Sequence, residues 1–235
     1  MAETSLHRGP SQLALELSLD DQATFANFFP RVGVVQVLAG LKDEAGLHEG
    51  LHFFHGAPGA GKSHLLQALC HEQVGSVYLP LELMVSLPPH DLLQNLEQAG
   101  LLAIDDLERI AGHNDWEEAL FHLFNRARAS RCRLLIAASR PAPELALSLP
   151  DLVSRLTSGL TWALPTCSDD ELREVLDFRA RRRGLVLAEP VLRYLCERSK
   201  RNLPELLASL ERLDQASLER QRPVTVPLVR EVMGW

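Results

Sequence analysis

Hydrophobic residues follow two patterns along this chain, and the change between them falls near residue 165. Before it, short apolar runs alternate with segments of helical periodicity, and after it the helical period continues alone. We interpret the runs as strands: Leu51–His55, Ser76–Leu81, Leu101–Asp106, Arg133–Ser139 and Thr161–Leu164. Strands that alternate with helices predict an α/β fold, a parallel sheet with helices on both faces.

Helical segments connect these predicted strands. In Trp116–Ala129 the apolar side chains recur at helical spacing, which puts them on one face. The other predicted helices are Val34–Leu41, Lys62–His71, Asp91–Gln98 and, as a short turn or helix, Pro150–Leu156.

Cap signals divide the part of the chain after residue 165. Ser168 and Glu171 have the spacing of a capping box, and the helix that they start is expected to stop at Gly184. Three more helices are predicted after it. The first begins at Pro190, the second at Asn202 with Pro204 in its first turn, and the third at Thr225 or Pro227. We therefore divide the chain into an extended segment (1–19), an α/β domain (20–165) and a small all-helical, lid-like domain (166–235).

The stretch between the first predicted strand and the next helix carries the strongest chemical signal. Gly56–Ser63 matches G-x-x-x-x-G-K-[ST] at every fixed position, which predicts a loop whose backbone N–H groups surround a polyphosphate. A plain glycine-rich turn has no use for Lys-Ser at this spacing. We assign nucleotide binding to Gly56, Pro58, Gly59, Ala60, Gly61, Lys62, Ser63 and His64.

Two neighbouring acids end a buried strand, where a phosphate-loop site needs its metal ligand. Asp105 is expected to hold Mg²⁺ together with Ser63, and Asp106 to orient or deprotonate an attacking water. Ser139, at the end of the next strand, could contact the γ-phosphate or that water. The alternative for the two acids is a helix cap. At the position of Asp106 a Glu is more common, and Asp is shorter than Glu. We therefore expect the chain itself to hydrolyse ATP only weakly.

Arg155 stands within Asp151–Leu156, on the predicted short helix. On an outer edge, an arginine could enter a neighbouring subunit's site and stabilise charge that develops in phosphoryl transfer. A surface arginine in a salt bridge explains its position equally well. Both interpretations stay open at this point.

Leucines alternate with small or polar residues between Gln12 and Leu19, a period of two that is typical of an extended segment. Such a peptide could dock in another protein's groove, or it could be an edge strand of its own domain. The following residues, Asp20–Phe29, contain Phe25, Phe28 and Phe29, and we expect them to cover the base side of the nucleotide site.

The bulk composition excludes several classes of protein. A net charge of −7 does not suit a protein that coats nucleic acid. The four cysteines form no C-x-x-C pair and are expected to be reduced, and the histidines have no metal-ligand spacing. No apolar run has the length of a membrane span, and no secretory leader is recognisable, so we expect a cytoplasmic protein.

Four motifs together resemble the DnaA-related AAA+ proteins of the Hda family. Gly56–Ser63 resembles the family's Walker A motif, and Ile104–Leu107 its double-Asp Walker B motif. Leu120–Arg126, followed by Ala138–Pro141, resembles the sensor 1 region, and Asp151–Leu156 the box that carries an arginine finger. The resemblance covers residues 12–235, and the combination is much more specific than a phosphate loop alone.

The resemblance implies a function in the control of replication initiation. It implies ADP as the resident nucleotide (another nucleoside diphosphate or ATP being alternatives), Mg²⁺, and Arg155 as the finger presented to ATP bound by DnaA. It also identifies the N-terminal peptide as similar to the family's motif for the DNA polymerase III sliding clamp (beta subunit), through which DNA is reached indirectly. The clamp-binding residues would be Gln12, Leu13, Leu15 and Leu17. A homodimer of the free protein stays open.

One departure from the family pattern concerns the sensor 2 arginine, whose matching position holds Pro204. A proline has no charge to reach a phosphate, so coupling between lid and nucleotide is expected to be weaker, unless Arg201 substitutes. Two competing functions are a self-sufficient AAA+ ATPase such as a helicase loader, and a truncated initiator that binds origin DNA. The second is disfavoured, because the lid uses the residues that a DnaA-type helix-turn-helix domain would need.

Overall fold

The computed structural model describes residues 19–42, 50–199 and 202–235. A five-stranded sheet lies at its centre, with the order β2-β3-β4-β1-β5 and every neighbouring pair parallel. The strands are Leu51–His55 (β1), Ser76–Pro80 (β2), Leu101–Asp105 (β3), Arg133–Ala138 (β4) and Leu160–Ala163 (β5). The predicted α/β class is confirmed.

Helices cover both faces of this sheet. Side chains alternate along each strand, so Phe53 packs into the core on one face and Phe54 into the core on the other. The helices that connect or precede the strands are Val35–Lys42 (α1), Lys62–Glu72 (α2), Leu81–Met84 (α3), Pro89–Leu92 (α4), Asn114–Ser130 (α5) and Pro150–Thr157 (α6). Short 3₁₀ turns lie at Phe25–Asn27, Val32–Val34, Leu96–Gln98, Leu107–Ile110 and Ala142–Glu144.

The prediction of one helix over Asp91–Gln98 was wrong. The chain forms α4 and then a separate 3₁₀ turn, because Asn95 between them has a positive φ of 61°. An asparagine tolerates this left-handed conformation better than most residues, and a single such residue ends the helical path. The predicted strand ends also shift by one residue: Leu81 begins α3, while Asp106 and Ser139 follow their strands.

Helices alone form the described part of the chain after β5. They are Asp169–Arg182 (α7), Glu189–Arg198 (α8), Leu203–Arg220 (α9) and Val226–Met233 (α10). The capping box of Ser168 and Glu171 is formed in both directions, and Asn202 and Thr225 cap the helices that follow them. Leucines of α7, α8 and α9 share one separate core, which makes this lid a packed unit of its own.

Some predictions fall outside the described residues. They include the leucine-rich peptide with Gln12, Leu13, Leu15 and Leu17, and Arg201. Within the described ranges, no helix combines the length and the apolar character that crossing a membrane requires.

Candidate nucleotide-binding site

The loop between β1 and α2 has the backbone that a phosphate requires. Gly59 and Gly61 have positive φ values of 79° and 98°, a conformation that side chains disfavour. At Gly56 a Cβ atom would lie 2.3 Å from the carbonyl oxygen of Leu164. The glycines are therefore needed for this loop path, and α2 begins at its end with free N–H groups.

Lys62 is the first residue of α2 and is 8% exposed. Its Nζ donates hydrogen bonds to the carbonyl oxygens of Gly56, at 2.7 Å, and Ala57, at 3.2 Å. An ammonium has three N–H donors, so one stays available for a phosphate oxygen. The loop, the helix start and this cation together fit a polyphosphate.

The register of the sheet brings the predicted residues of three strands to one edge. His55 pairs with Ala138, and Ile104 with Ile136, so Gly56, Asp105 and Ser139 leave the sheet at the same end. β4 lies between β1 and β3, so the backbones of β1 and β3 are about 10 Å apart. A bound triphosphate can bridge that separation.

Asp105 is fully buried and accepts two hydrogen bonds, from the Tyr78 hydroxyl at 2.7 Å and from the backbone N–H of Asp106 at 3.0 Å. Burial, together with the Asp105 charge, raises the pKa of Tyr78 far above its ordinary value, so the phenol stays a donor. In the described part of the chain, no group of three or more His, Cys, Asp and Glu side chains is arranged to hold a metal ion. A Mg²⁺ ion beside Ser63 and Asp105 would also take oxygens from a nucleotide.

Asp106 has a positive φ of 57° and turns away from the strand direction. Burial raises its pKa to about 6, and the charges of Asp105, Glu108 and Glu82 add to this effect. The next strand is tied to the same region, because the backbone N–H of Ser139 donates to Glu108 Oε2 at 3.0 Å. A group with this pKa exchanges protons near neutral pH, as the predicted role at an attacking water requires.

A cavity of about 390 Å³ opens beside the phosphate loop, a size that suits a small ligand. Of the predicted nucleotide-binding residues, it contacts Gly59, Ala60, Gly61, Lys62, Ser63 and His64. Gly56, Pro58, Asp105, Asp106 and Ser139 are not among the described residues that line it. The cavity therefore lies on the side of the loop away from the acids, where a nucleotide would place its sugar and base.

One wall of this cavity is the segment from Asp20 to Arg31, which we call the strap. Its Thr24 carbonyl accepts a hydrogen bond from His64 Nε2 at 2.8 Å, and burial lowers the pKa of His64, so the imidazole is neutral. Phe28 packs edge-on against His64, and Phe28 and Phe29 line the cavity. Phe25 and Phe28 both pack against the core on this face of the sheet, but Phe25 is not among the residues that line the cavity, so two of the three expected phenylalanines contact it.

Two buried arginines in the cavity wall were not predicted. Arg31 donates to the carbonyl oxygens of Ala60, at 2.8 Å, and Pro165, at 3.0 Å, which ties the phosphate loop to the last residue before the lid. Arg179, on α7, is 7% exposed.

The signal for Arg179 was present in the sequence. It follows Leu172, Val175 and Leu176 at helical spacing, on the buried face of α7. For Arg31, which stands between Pro30 and Val32, the sequence carries no such signal.

Pro204, which the resemblance places at the position of a sensor 2 arginine, lies beside the phosphate loop. Its Cδ is 3.2 Å from the point that a Cβ of Gly59 would occupy, and Pro204 lines the cavity. The first turn of α9 therefore approaches the loop with an apolar group instead of a cation. The approach is close enough for the lid to enclose a ligand.

Arg155 lies on α6, away from the cavity. Leu152 and Leu156 of this helix are fully buried, and Arg155 is half-buried. Among the described residues, the Arg155 guanidinium has no hydrogen bond and no ion pair. The salt bridge that would have explained this arginine as a surface residue is therefore not formed within the described ranges.

The phosphate loop at the end of β1, the strand order and the helical lid define a P-loop nucleotide-binding protein of the AAA+ class. Residues 169–233 match the family model described as "Hda, lid domain", and residues 87–163 match the model of the bacterial DnaA ATPase domain. These two matches support a DnaA-related AAA+ protein with a lid of the Hda type, which is the resemblance inferred from the motifs.

Solved structures have the same fold. Domain III of the replication initiation protein DnaA from Thermotoga maritima matches with a TM-score of 0.77 and 22% identity, over 92% of this chain and 98% of that chain. AMPPCP-bound DnaA from Aquifex aeolicus has a TM-score of 0.66 and 22% identity, over 82% and 65%. The RuvB Holliday junction branch migration motor of T. maritima has a TM-score of 0.64 and 17% identity, over 86% and 67%.

Proposed function

We propose that this protein regulates the initiation of chromosome replication by stimulating hydrolysis of ATP bound to DnaA. In this proposal the chain binds ADP with Mg²⁺ in its own site, docks on the sliding clamp through its N-terminal peptide, and presents Arg155 to the partner's nucleotide. The lid of the Hda type and the DnaA-like ATPase segment support the choice of DnaA as partner.

The chain's own nucleotide site is supported by its loop and its acids. Lys62 and the α2 N-terminus would hold the β-phosphate, Ser63 and Asp105 would hold the metal ion, and Asp106 would be placed toward a γ-phosphate. A related DnaA structure is bound to AMPPCP, which favours an adenine nucleotide here. The bound metal would supply charge neutralisation at the phosphates.

The state of Arg155 is the observation that carries this proposal. Its helix is anchored by two fully buried leucines, while its guanidinium is half-buried and is not engaged by any described residue. A finger in trans must be rigidly mounted and must reach the second subunit's phosphates, and Arg155 fits this because no described residue pairs with its guanidinium. Such an arginine contributes about 10³- to 10⁵-fold in rate in enzymes that use one.

A buried carboxylate fixes the start of the helix that carries Arg155. Glu117, on α5, is 1% exposed. It accepts hydrogen bonds from the backbone N–H of Leu149 at 2.8 Å and of Gly112 at 3.0 Å. Leu149 is the cap residue of α6, so Glu117 holds α6 against α5. The sequence placed Glu117 on a predicted helix but gave no sign of this bridge.

The test measures phosphate release from DnaA-ATP in the presence of the loaded clamp on DNA. We expect wild-type protein to stimulate release strongly, Arg155→Ala to abolish stimulation, and Arg155→Lys to restore little, because lysine lacks the planar fork of arginine. Arg128→Ala, an exposed arginine on α5, is the matched control. Stimulation by Arg155→Ala equal to that of wild type would remove the finger assignment.

The same assay separates the main competitor, a self-sufficient ATPase such as a helicase loader. The protein alone, without DnaA, should release little phosphate. Release that is rapid and independent of DnaA would contradict the regulator and favour the competitor. Clamp docking is tested apart from catalysis: a pull-down on the clamp should fail when Gln12 and Leu13 are both changed to Ala, while Arg155→Ala should leave it intact.

A further inference from the structure

Among the described residues, the cavity receives five side chains from the lid: Val175, Arg179, Leu203, Pro204 and Leu207. Of these, Arg179 alone is charged. The lid therefore approaches the phosphate loop with apolar groups, and its one described cation in the cavity wall comes from α7.

Arg179 binds the backbone of the strap. Its Nη1 donates to the carbonyl oxygen of Asn27 at 3.0 Å and, more weakly, to that of Gln22 at 3.4 Å. Arg179 is 7% exposed, and burying a guanidinium is costly unless its donors are satisfied; here the acceptors are carbonyls held in a turn. This contact can form only when lid and strap are together.

Neighbouring side chains make the same connection. Phe178 packs against Phe29 with ring centroids 5.5 Å apart, and Arg182 Nε donates to Asn27 Oδ1 at 3.1 Å. Gln22, Asn27 and Phe29 of the strap therefore lie against the C-terminal half of α7. Burial and the nearby Arg183 lower the pKa of Arg179, while Asp20 on the strap and Glu211 on α9 favour its charged form.

The strap is in turn attached to α2, the helix that begins at the phosphate loop. The backbone N–H of Asp20 donates to Gln67 Oε1 at 2.8 Å, the Asp20 carbonyl accepts from His71 Nε2 at 3.0 Å, and His64 holds Thr24. A continuous set of contacts thus runs from the lid through the strap to the helix of the phosphate loop.

We propose that Arg179 is a positioning residue that latches the lid over the bound nucleotide through the strap, in place of a sensor 2 arginine. The inference rests on the proposed nucleotide site. Where a sensor 2 arginine would hold the lid to the phosphates themselves, this chain has Pro204, and its lid is held to the chain segment that covers the sugar and base. The latch determines how slowly the nucleotide dissociates, while Lys62 binds the phosphates.

The test uses the full chain loaded with N-methylanthraniloyl-ADP and chased with excess ADP. Loss of two charge-assisted hydrogen bonds in Arg179→Ala should speed release about 10- to 100-fold, and Arg179→Lys should recover part of the slow release. Arg181→Ala, two residues away on the exposed face and paired with Asp177, should release at the wild-type rate. If Arg179→Ala does not fold, Arg179→Gln takes its place.

Hydrogen exchange of the same variants separates the latch from the nucleotide site. We expect faster exchange in residues 20–31 and in α7 of the Arg179 variant, with exchange in α5 unchanged. If the strap of the Arg179 variant exchanges hydrogen at the same rate as the strap of the wild-type protein, the latch is refuted. Wild-type protein that retains no nucleotide would refute the nucleotide site, while the exchange result would still decide the latch. Equal release by wild type and Arg179→Ala would refute the latch and leave the nucleotide site standing.

Discussion

Asp106→Asn should stabilise the folded protein at neutral pH and lose this effect in acid. The carboxylate of Asp106 is half-buried beside Asp105 and Glu108, and burial is the largest cause of its raised pKa of about 6. Asparagine removes the charge and keeps nearly the same shape. It also suits the positive φ of 57° at this position, so the substitution adds no backbone strain.

The size of the effect follows from the pKa. A rise from an ordinary value of 3.8 to about 6 corresponds to about 3 kcal/mol of penalty for the ionised form in the folded state. Because Asp106 is half-buried, water and salt screen part of this penalty, and we expect a gain of about 1–2 kcal/mol for the variant at neutral pH.

The stability advantage of Asp106→Asn over wild type depends on pH within a defined range. Below about pH 4 the carboxyl is protonated in both the folded and the unfolded chain, and its contribution to stability is fully present. That contribution is lost as the pH rises through about 6, the folded-state pKa. The variant has no such titration, so its advantage over wild type should be small at about pH 4, approach zero only at about pH 3 and reach its full size at about pH 7.5.

Urea unfolding followed by tryptophan fluorescence measures this difference, since Trp116 is buried in the core of the α/β domain. Glu72→Gln, an exposed carboxylate at the end of α2, is the matched control and should show no pH-dependent gain. Adding Mg²⁺ with ADP should shrink the advantage of Asp106→Asn, because a bound cation offsets the same repulsion. An advantage of equal size at both pH values, or a loss at pH 7.5, would refute the electrostatic explanation.

Two further predictions concern contacts that hold helices. Glu117→Gln should lower the free energy of unfolding by about 1–3 kcal/mol and weaken stimulation of DnaA, because an amide cannot accept both backbone N–H bonds; the exposed neighbour Glu118→Gln is its control in urea titrations and phosphate-release assays. Ser168→Ala should destabilise the lid by about 1 kcal/mol, since half of the capping box is lost; thermal unfolding compares it with Thr166→Ala, and equal melting temperatures would contradict the capping argument.

Local sequence signals predicted most of the fold and the phosphate end of the site. Each of these signals acts within a few residues: the fixed spacing of Gly56–Ser63, the apolar run that ends at Asp105, the capping pair at Ser168. The strands and caps were therefore predicted to within a residue or two, and the parallel sheet followed from their alternation with helices.

The parts that could not be predicted depend on contacts between distant segments. Arg31 reaches a carbonyl 134 residues away, and Glu117 on α5 accepts from the N–H of Leu149, the cap residue of α6. Neither contact leaves a local pattern. Asn95 illustrates a second cause, because whether an asparagine adopts a positive φ depends on the packing at both sides of it.

The strap limits how far the chain can be truncated from its N-terminus. A deletion intended to remove only the leucine-rich peptide must end before Asp20, since Thr24 and Asn27 supply the backbone oxygens that His64 and Arg179 bind. A shortened protein that begins beyond that point would lose the proposed nucleotide retention together with the proposed clamp docking. Two independent functions would then fail in one experiment and be mistaken for a single one.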